Sequence, residues 1–189
     1  MQTPLTVRRW QRAEYERLVG LGVFAGEPLE LIGGQLVVAE PQGSYHASAI
    51  TGVDYALRAI VPAGWIVRLQ APIALDEESE PEPDVAVVPG RPGDYRDAHP
   101  TRPVLLVEVA ESSLDLDRTK GGLYARGGVL DYWIVNLVEG VVEVYRTPEP
   151  DASTAFGYRY RSVSRLAPPA TVAPLAFADR FLRVADLLP

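Results

Sequence analysis

Seventeen of the eighteen basic residues in this chain are arginine, and the other is Lys120. Lysine carries a compact charge on a flexible stem and can reach a reacting oxygen in a way that the planar guanidinium cannot. Alone, a single lysine reads first as leftover surface charge. Two acids upstream change its meaning. Glu108 interrupts Val104-Leu-Leu-Val-Glu-Val-Ala110, a run apolar on both faces, where a charge is costly unless it is paired or bound to a cation. Asp84 opens a second apolar run, Asp84-Val-Ala-Val-Val88, behind Pro83; taken singly it is also an ordinary residue at the start of a strand. Two such acids on neighbouring strands, with a lysine in the following element, make a different object. They form a carboxylate pair able to hold a hard divalent cation, with an ammonium placed beside a reacting phosphate.

Composition narrows the chemistry further. Cysteine is absent, which removes disulfides, thiolate nucleophiles and zinc ribbons, and with only His46 and His99 a histidine-rich metal centre is excluded. Any metal must therefore be held by oxygen. The net charge of −7 argues against a protein that coats nucleic acid, since neutralising phosphates takes a basic face. Arg58, Arg68, Arg91, Arg96, Arg102, Arg118 and Arg126 are scattered and form no dense cluster in sequence. The chain contains no Gly-x-Ser-x-Gly elbow, dinucleotide-binding turn or phosphate loop.

The elements that must position these residues follow from periodicity. At 189 residues, 47% of them hydrophobic, the chain is expected to fold as one domain over residues 1–189. A helix is expected from Thr6, as N-cap, to about Leu21. Leu29 to Val38 reads as a hairpin turning at Gly33-Gly34, and a second helix from Ser44 to Ile60 places His46, Ile50, Val53, Leu57 and Ile60 at helical spacing. Strands are expected at Trp65 to Leu75, Asp84 to Val88, Val104 to Ala110, Tyr132 to Asn136, Val141 to Tyr145 and Tyr158 to Val163. A short helix from Asp117 to Arg126 lies among them, closed by Gly127-Gly128. Gly121 and Gly122 beside Lys120 put the length of that helix in doubt. The order is that of an α/β (α+β) fold with a mixed sheet. No apolar run is long enough for a membrane span, and the first residues, Met-Gln-Thr-Pro-Leu-Thr, lack the order of a signal peptide, so a soluble cytoplasmic protein is expected.

Three strings carry a resemblance: Glu82-Pro-Asp84-Val-Ala-Val-Val, Val107-Glu108-Val-Ala-Glu-Ser-Ser113, and Asp117-Arg-Thr-Lys120-Gly-Gly-Leu-Tyr124-Ala-Arg-Gly-Gly-Val129-Leu-Asp-Tyr-Trp-Ile-Val135. Together they resemble the Uma-two family of restriction endonucleases, a branch of the PD-(D/E)XK nuclease superfamily. Glu30 within Leu29 to Leu36, His46, and Val142-Glu-Val-Tyr145 agree, so the likeness spans residues 29 to 146. It implies a restriction-endonuclease-like core, a central mixed β-sheet flanked by helices. It also implies a Mg²⁺- or Mn²⁺-dependent DNA endonuclease in which Asp84 and Glu108 hold the metal, Lys120 is the catalytic lysine, and Glu30 is a further acidic position. The superfamily's usual lysine position, two after Glu108, is Ala110 here, and Lys120 on the following helix resembles its relocated substitute. Nucleases of this kind often cut both strands as dimers, and a homodimer is expected. His46 and Tyr124 are read as wall residues of the site, Asp117 and Ser112 as caps or turns. Two other functions stay open on the same fold: a non-catalytic nucleic-acid or protein-binding module, and a hydrolase of smaller phosphodiesters.

Overall fold

The computed structural model describes residues 6–39 and 41–189; the stretch Met1 to Leu5, read above for a leader, lies outside them. In chain order the elements are α1 (Arg12–Gly20), β1 (Leu29–Ile32), β2 (Gln35–Val38), α2 (Ser44–Ile60), β3 (Trp65–Leu69), β4 (Val85–Pro89), β5 (Leu105–Ala110), α3 (Leu114–Arg126), β6 (Asp131–Asn136), β7 (Val141–Pro150), β8 (Tyr158–Leu166), β9 (Thr171–Val172) and β10 (Leu182–Arg183), with three short 3-10 turns. Strands β3 to β8 form one six-stranded sheet in sequential order. Every pairing in it is antiparallel except β5 with β6, which α3 connects as a parallel crossover. The sheet is mixed and the fold is α/β, as expected.

The sheet is apolar on both faces because each face carries a helix. On one side α2 lays Ala49, Ile50, Val53 and Leu57 against Val85, Val87, Val107, Val109, Trp133 and Val135. On the other, Leu123, Tyr124 and Ala125 of α3 meet Ala86, Val88, Leu106, Ala110, Tyr132 and Ile134. Odd-numbered residues of β4 and β5 thus face α2 and even-numbered ones face α3, the two-residue alternation of a strand. Glu108, two residues from both Leu106 and Ala110, belongs to the α3 side.

Several expectations change. The first helix begins at Arg12, with Gln11 rather than Thr6 at its N-cap, because Trp10 N–H is committed to Gly34 O and Gln11 exchanges capping contacts with Glu14. The strand expected to reach Leu75 ends at Leu69, where Gln70 turns into the left-handed region at φ 44° and its N–H bonds Asp84 O. Residues beyond Val163, for which no element was expected, close the α2-side core: Val172, Phe177, Leu182, Val184 and Leu187 are all buried there. The hairpin does turn at Gly33-Gly34, at φ 55° and 77°, and α2 runs Ser44–Ile60. Among the described residues no helix is long and apolar enough to cross a membrane.

Helix α3 starts three residues earlier than expected and passes unbroken through Gly121 and Gly122. A Cβ on Gly122 would sit 2.9 Å from Tyr158 O, and one on Gly121 3.5 Å from the Tyr132 ring. The glycines cost helix propensity, but they let α3 lie directly on the sheet, and that close approach is what brings Lys120 to the acids.

Candidate functional site

Asp84 just before β4, Glu108 in β5 and Lys120 in α3 meet on the α3 side of the sheet. Asp84 N–H donates to Glu108 Oε2 at 3.1 Å, and Val109 N–H donates to Asp84 Oδ2 at 2.8 Å, so each acid is held by the backbone of the neighbouring strand. Lys120 Nζ lies 3.4 Å from Glu108 Oε1 and 3.3 Å from Glu30 Oε2. Glu30, in β1, accepts a second hydrogen bond from Glu82 N–H at 3.1 Å. On α3, residues 113, 117, 120 and 124 fall on one helical face, and Ser113 Oγ donates to Asp117 Oδ2 at 2.6 Å.

Glu30, Asp84, Glu108, Asp117 and Lys120 form the floor of a cleft of about 460 Å³. Its walls come from the β2–α2 connection, the first turn of α2 and the start of α3, and its lining includes the carboxylates of Glu30, Glu82, Asp84, Glu108, Glu111 and Asp117. Lys120 is the one lysine or arginine among the lining residues. Two other hollows lack this chemistry: one under Val144 and Phe181 and one beside Tyr145 and Tyr158 are lined by no comparable group of acids.

The electrostatics follow from burial. Lys120 is only 6% exposed. Burial works to lower its pKa, and the carboxylates of Glu108, Glu30 and Asp117 outweigh that and raise it, so the ammonium stays charged. Glu108, 3% exposed, is driven up by burial against the pull of Lys120, with Asp117, Asp84 and Glu30 adding repulsion. Asp117 is raised to about 6, chiefly by burial. His46 Nε2 lies 3.5 Å from Asp84 Oδ2 with no hydrogen-bond partner among the described residues, and that carboxylate raises its pKa against the effect of burial.

Among the described residues no three Asp, Glu or His side chains converge closely enough to cage an ion by themselves. A hard cation such as Mg²⁺ does not require such a cage, because it is held by one or two carboxylates and fills its octahedron with water and substrate phosphate. The donors present fit it. Among the described residues Asp84 Oδ1 has only a 3.5 Å contact from the Gln42 amide, and Glu108 Oε2 has a single donor, so each keeps a lone pair for a hard cation.

Sequence reasoning placed Asp84, Glu108, Lys120 and Glu30, and the fold brings all four together; His46 lines the cleft. Tyr124 does not wall it: its side chain is fully buried and its hydroxyl donates to Glu108 Oε1 at 2.6 Å. Asp117, read as a cap or turn, does accept from Ser113 but also lines the cleft, and its spacing of three from Lys120 was the available signal. Glu82 was missed as a lining residue, since only the approach of β1 turns that loop inward.

The sequence profile of the Uma2 family, described as "Putative restriction endonuclease", matches residues 12–185. The chain belongs to that family. Membership gives it the family's nuclease class. A solved structure described as a "putative nuclease belonging to DUF820", from Anabaena variabilis, superposes with a TM-score of 0.64 at 19% identity, covering 84% of this chain and 88% of that one. The likeness is one of fold. The type IIG restriction endonuclease BpuSI aligns over 80% of this chain and 16% of its own length, at 14% identity and a TM-score of 0.39, too low to carry an argument. No curated protein matches the chain.

Proposed function

We propose that this Uma2 chain hydrolyses DNA phosphodiester bonds with a divalent cation, Mg²⁺ or Mn²⁺, held by Asp84 and Glu108. The observation that carries the reading is the convergence of these two acids, from adjacent strands, with the chain's single lysine 3.4 Å from Glu108. Polarisation of the phosphate and activation of a water are the chemistry such a cation supplies when bound. The chain's own groups do the rest. Asp84 Oδ1 and Glu108 Oε2 present the open lone pairs. Lys120, kept protonated by its carboxylate neighbours, acts as a fixed positive charge beside the phosphate and not as a base. Glu30 anchors that ammonium, and Glu82 N–H in turn fixes Glu30. Gly43 and His46 at the start of α2 line the cleft, and this helix has no acid in its first turn and no side-chain cap, so its free N–H groups favour a phosphate. Cutting both strands of a duplex in one encounter takes two such sites, which a homodimer supplies.

The absence of arginine from the cleft lining favours a second reading, hydrolysis of a smaller phosphodiester at the same site. One experiment addresses both. Supercoiled plasmid, single-stranded DNA and bis(p-nitrophenyl) phosphate are incubated with the protein and Mg²⁺ or Mn²⁺, beside Asp84→Ala. Metal-dependent cleavage of DNA that the variant lacks is the expected result. Turnover of the small ester alone transfers the reading to the smaller substrate, and cleavage that survives in Asp84→Ala overturns both.

A further inference from the structure

Glu108 is held asymmetrically. Among the described residues its Oε2 takes one hydrogen bond, from Asp84 N–H at 3.1 Å, and is the oxygen shared with the Asp84 side of the cleft. Its Oε1 is turned towards α3, where Tyr124 Oη donates at 2.6 Å and Lys120 Nζ lies at 3.4 Å. Tyr124 is fully buried, packed at 4.9 Å between ring centroids against Tyr132, which is also fully buried, so its hydroxyl has no freedom to follow the carboxylate if it rotates. A carboxylate pinned this way can offer a cation one oxygen but not both.

That restraint matters because the biological divalent cations differ in what they ask of a carboxylate. Mg²⁺ takes single oxygens at near-octahedral angles, whereas Ca²⁺ takes six to eight oxygens and accepts carboxylates that chelate with both. We infer that Tyr124 is a positioning residue that selects the cation, holding Glu108 monodentate and so favouring Mg²⁺ over Ca²⁺. The inference rests on the proposal that Asp84 and Glu108 hold a cation, and it assigns Tyr124 a task distinct from packing. Tyr160 offers the comparison: it too is a buried tyrosine of the same core, but its hydroxyl donates to Val129 O at 2.8 Å, away from the acids.

Titration calorimetry of the full chain with Mg²⁺ and separately with Ca²⁺, at fixed pH and ionic strength, tests this on wild type, Tyr124→Phe and Tyr160→Phe, each checked for folding by circular dichroism. Wild type should bind Mg²⁺ more tightly than Ca²⁺. Removing a hydrogen bond to a metal-ligating group typically costs about 10–100-fold in affinity. Tyr124→Phe should accordingly lose about tenfold for Mg²⁺ and less for Ca²⁺, while Tyr160→Phe keeps the wild-type ratio. Equal losses for both cations in Tyr124→Phe, or the same ratio change in Tyr160→Phe, would overturn the inference and leave the cation site standing. A wild type that prefers Ca²⁺ overturns it without any variant, and a wild type that binds neither ion removes the cation reading as well.

Discussion

Lys120 shows how much a residue's surroundings decide its chemistry. On an exposed helix it would be solvated surface charge; here it sits 3.3 Å from Glu30 and 3.4 Å from Glu108, with its pKa raised. An ammonium so placed serves through charge and reach. Lys120→Arg keeps the charge but spreads it over a rigid plane that cannot occupy the same point between two carboxylates. Binding of Mn²⁺ should survive in this variant, while hydrolysis falls by about a hundredfold or more, the scale of losing one positioned charge stabiliser. A single-turnover cleavage assay beside Mn²⁺ titration checks both halves, and near-normal cleavage would leave Lys120 a structural ion-pair partner with no catalytic part.

At the scale of elements, α3 is held by close approach and by charge. Gly122 lets the helix pass within contact of the β8 backbone at Tyr158. Helix propensity alone says that Gly122→Ala should stabilise the protein by up to about 1 kcal/mol. Contact says otherwise, because a Cβ 2.9 Å from a backbone oxygen forces the helix outward, and overpacking of this kind costs about 1–3 kcal/mol. The expected outcome is a lower melting temperature in Gly122→Ala, together with reduced hydrolysis as Lys120 moves with the helix. One turn before Gly122 the same helix is fastened by Arg118, which donates to Glu143 of β7 at 2.6 and 3.2 Å. Burial would raise the Glu143 pKa, but the hydrogen bonds from Arg118, Tyr145 and Asn136 outweigh it and bring it down to about 2. A carboxyl depressed on folding contributes stability above its unfolded pKa and loses it as pH falls from about 4.5 towards 2. Arg118→Leu should therefore flatten the acid limb of the stability curve across that window, measured by urea denaturation.

Across the whole molecule, crowded acids leave their mark on stability. Glu80, 4% exposed on the loop that leads into Asp84, has its pKa raised to about 8, first by burial and then by the Glu16 carboxyl of α1. An acid raised on folding binds its proton more tightly in the folded state, so stability declines as pH climbs from about 4.5 through 8. Glu80→Gln mimics the protonated form; it should melt like wild type near pH 5 and higher than wild type near pH 8. Glu108 and Asp117 shift in the same direction, and on the proposed reading a bound cation would supply the relief there instead. A cation at a hundred times its dissociation constant adds about 2.7 kcal/mol if it binds only the folded state. Melting wild type and Glu108→Ala with and without Mn²⁺ at matched ionic strength should show a gain in wild type alone. Equal gains in both would mean general screening and no site at these residues.

Read as sequence, the chain determined its alternation of apolar runs, hence a mixed sheet covered on both faces, and it singled out Asp84, Glu108 and Lys120, because an acid inside an apolar strand and a solitary lysine are costly or rare enough to need a reason. Periodicity also located α2 and the Gly33-Gly34 hairpin, since both depend on neighbours within a few positions. What depends on distant neighbours was decided only by the tertiary structure. The true start of α1 follows from a hydrogen bond between Trp10 and Gly34, and the early end of β3 from one between Gln70 and Asp84. The glycines that looked like helix breakers turned out to be clearance for β8 and Tyr132. Tyr124, indistinguishable in sequence from any core tyrosine, became the group that holds Glu108, because a hydrogen bond between residues sixteen positions apart exists only once α3 has docked on the sheet.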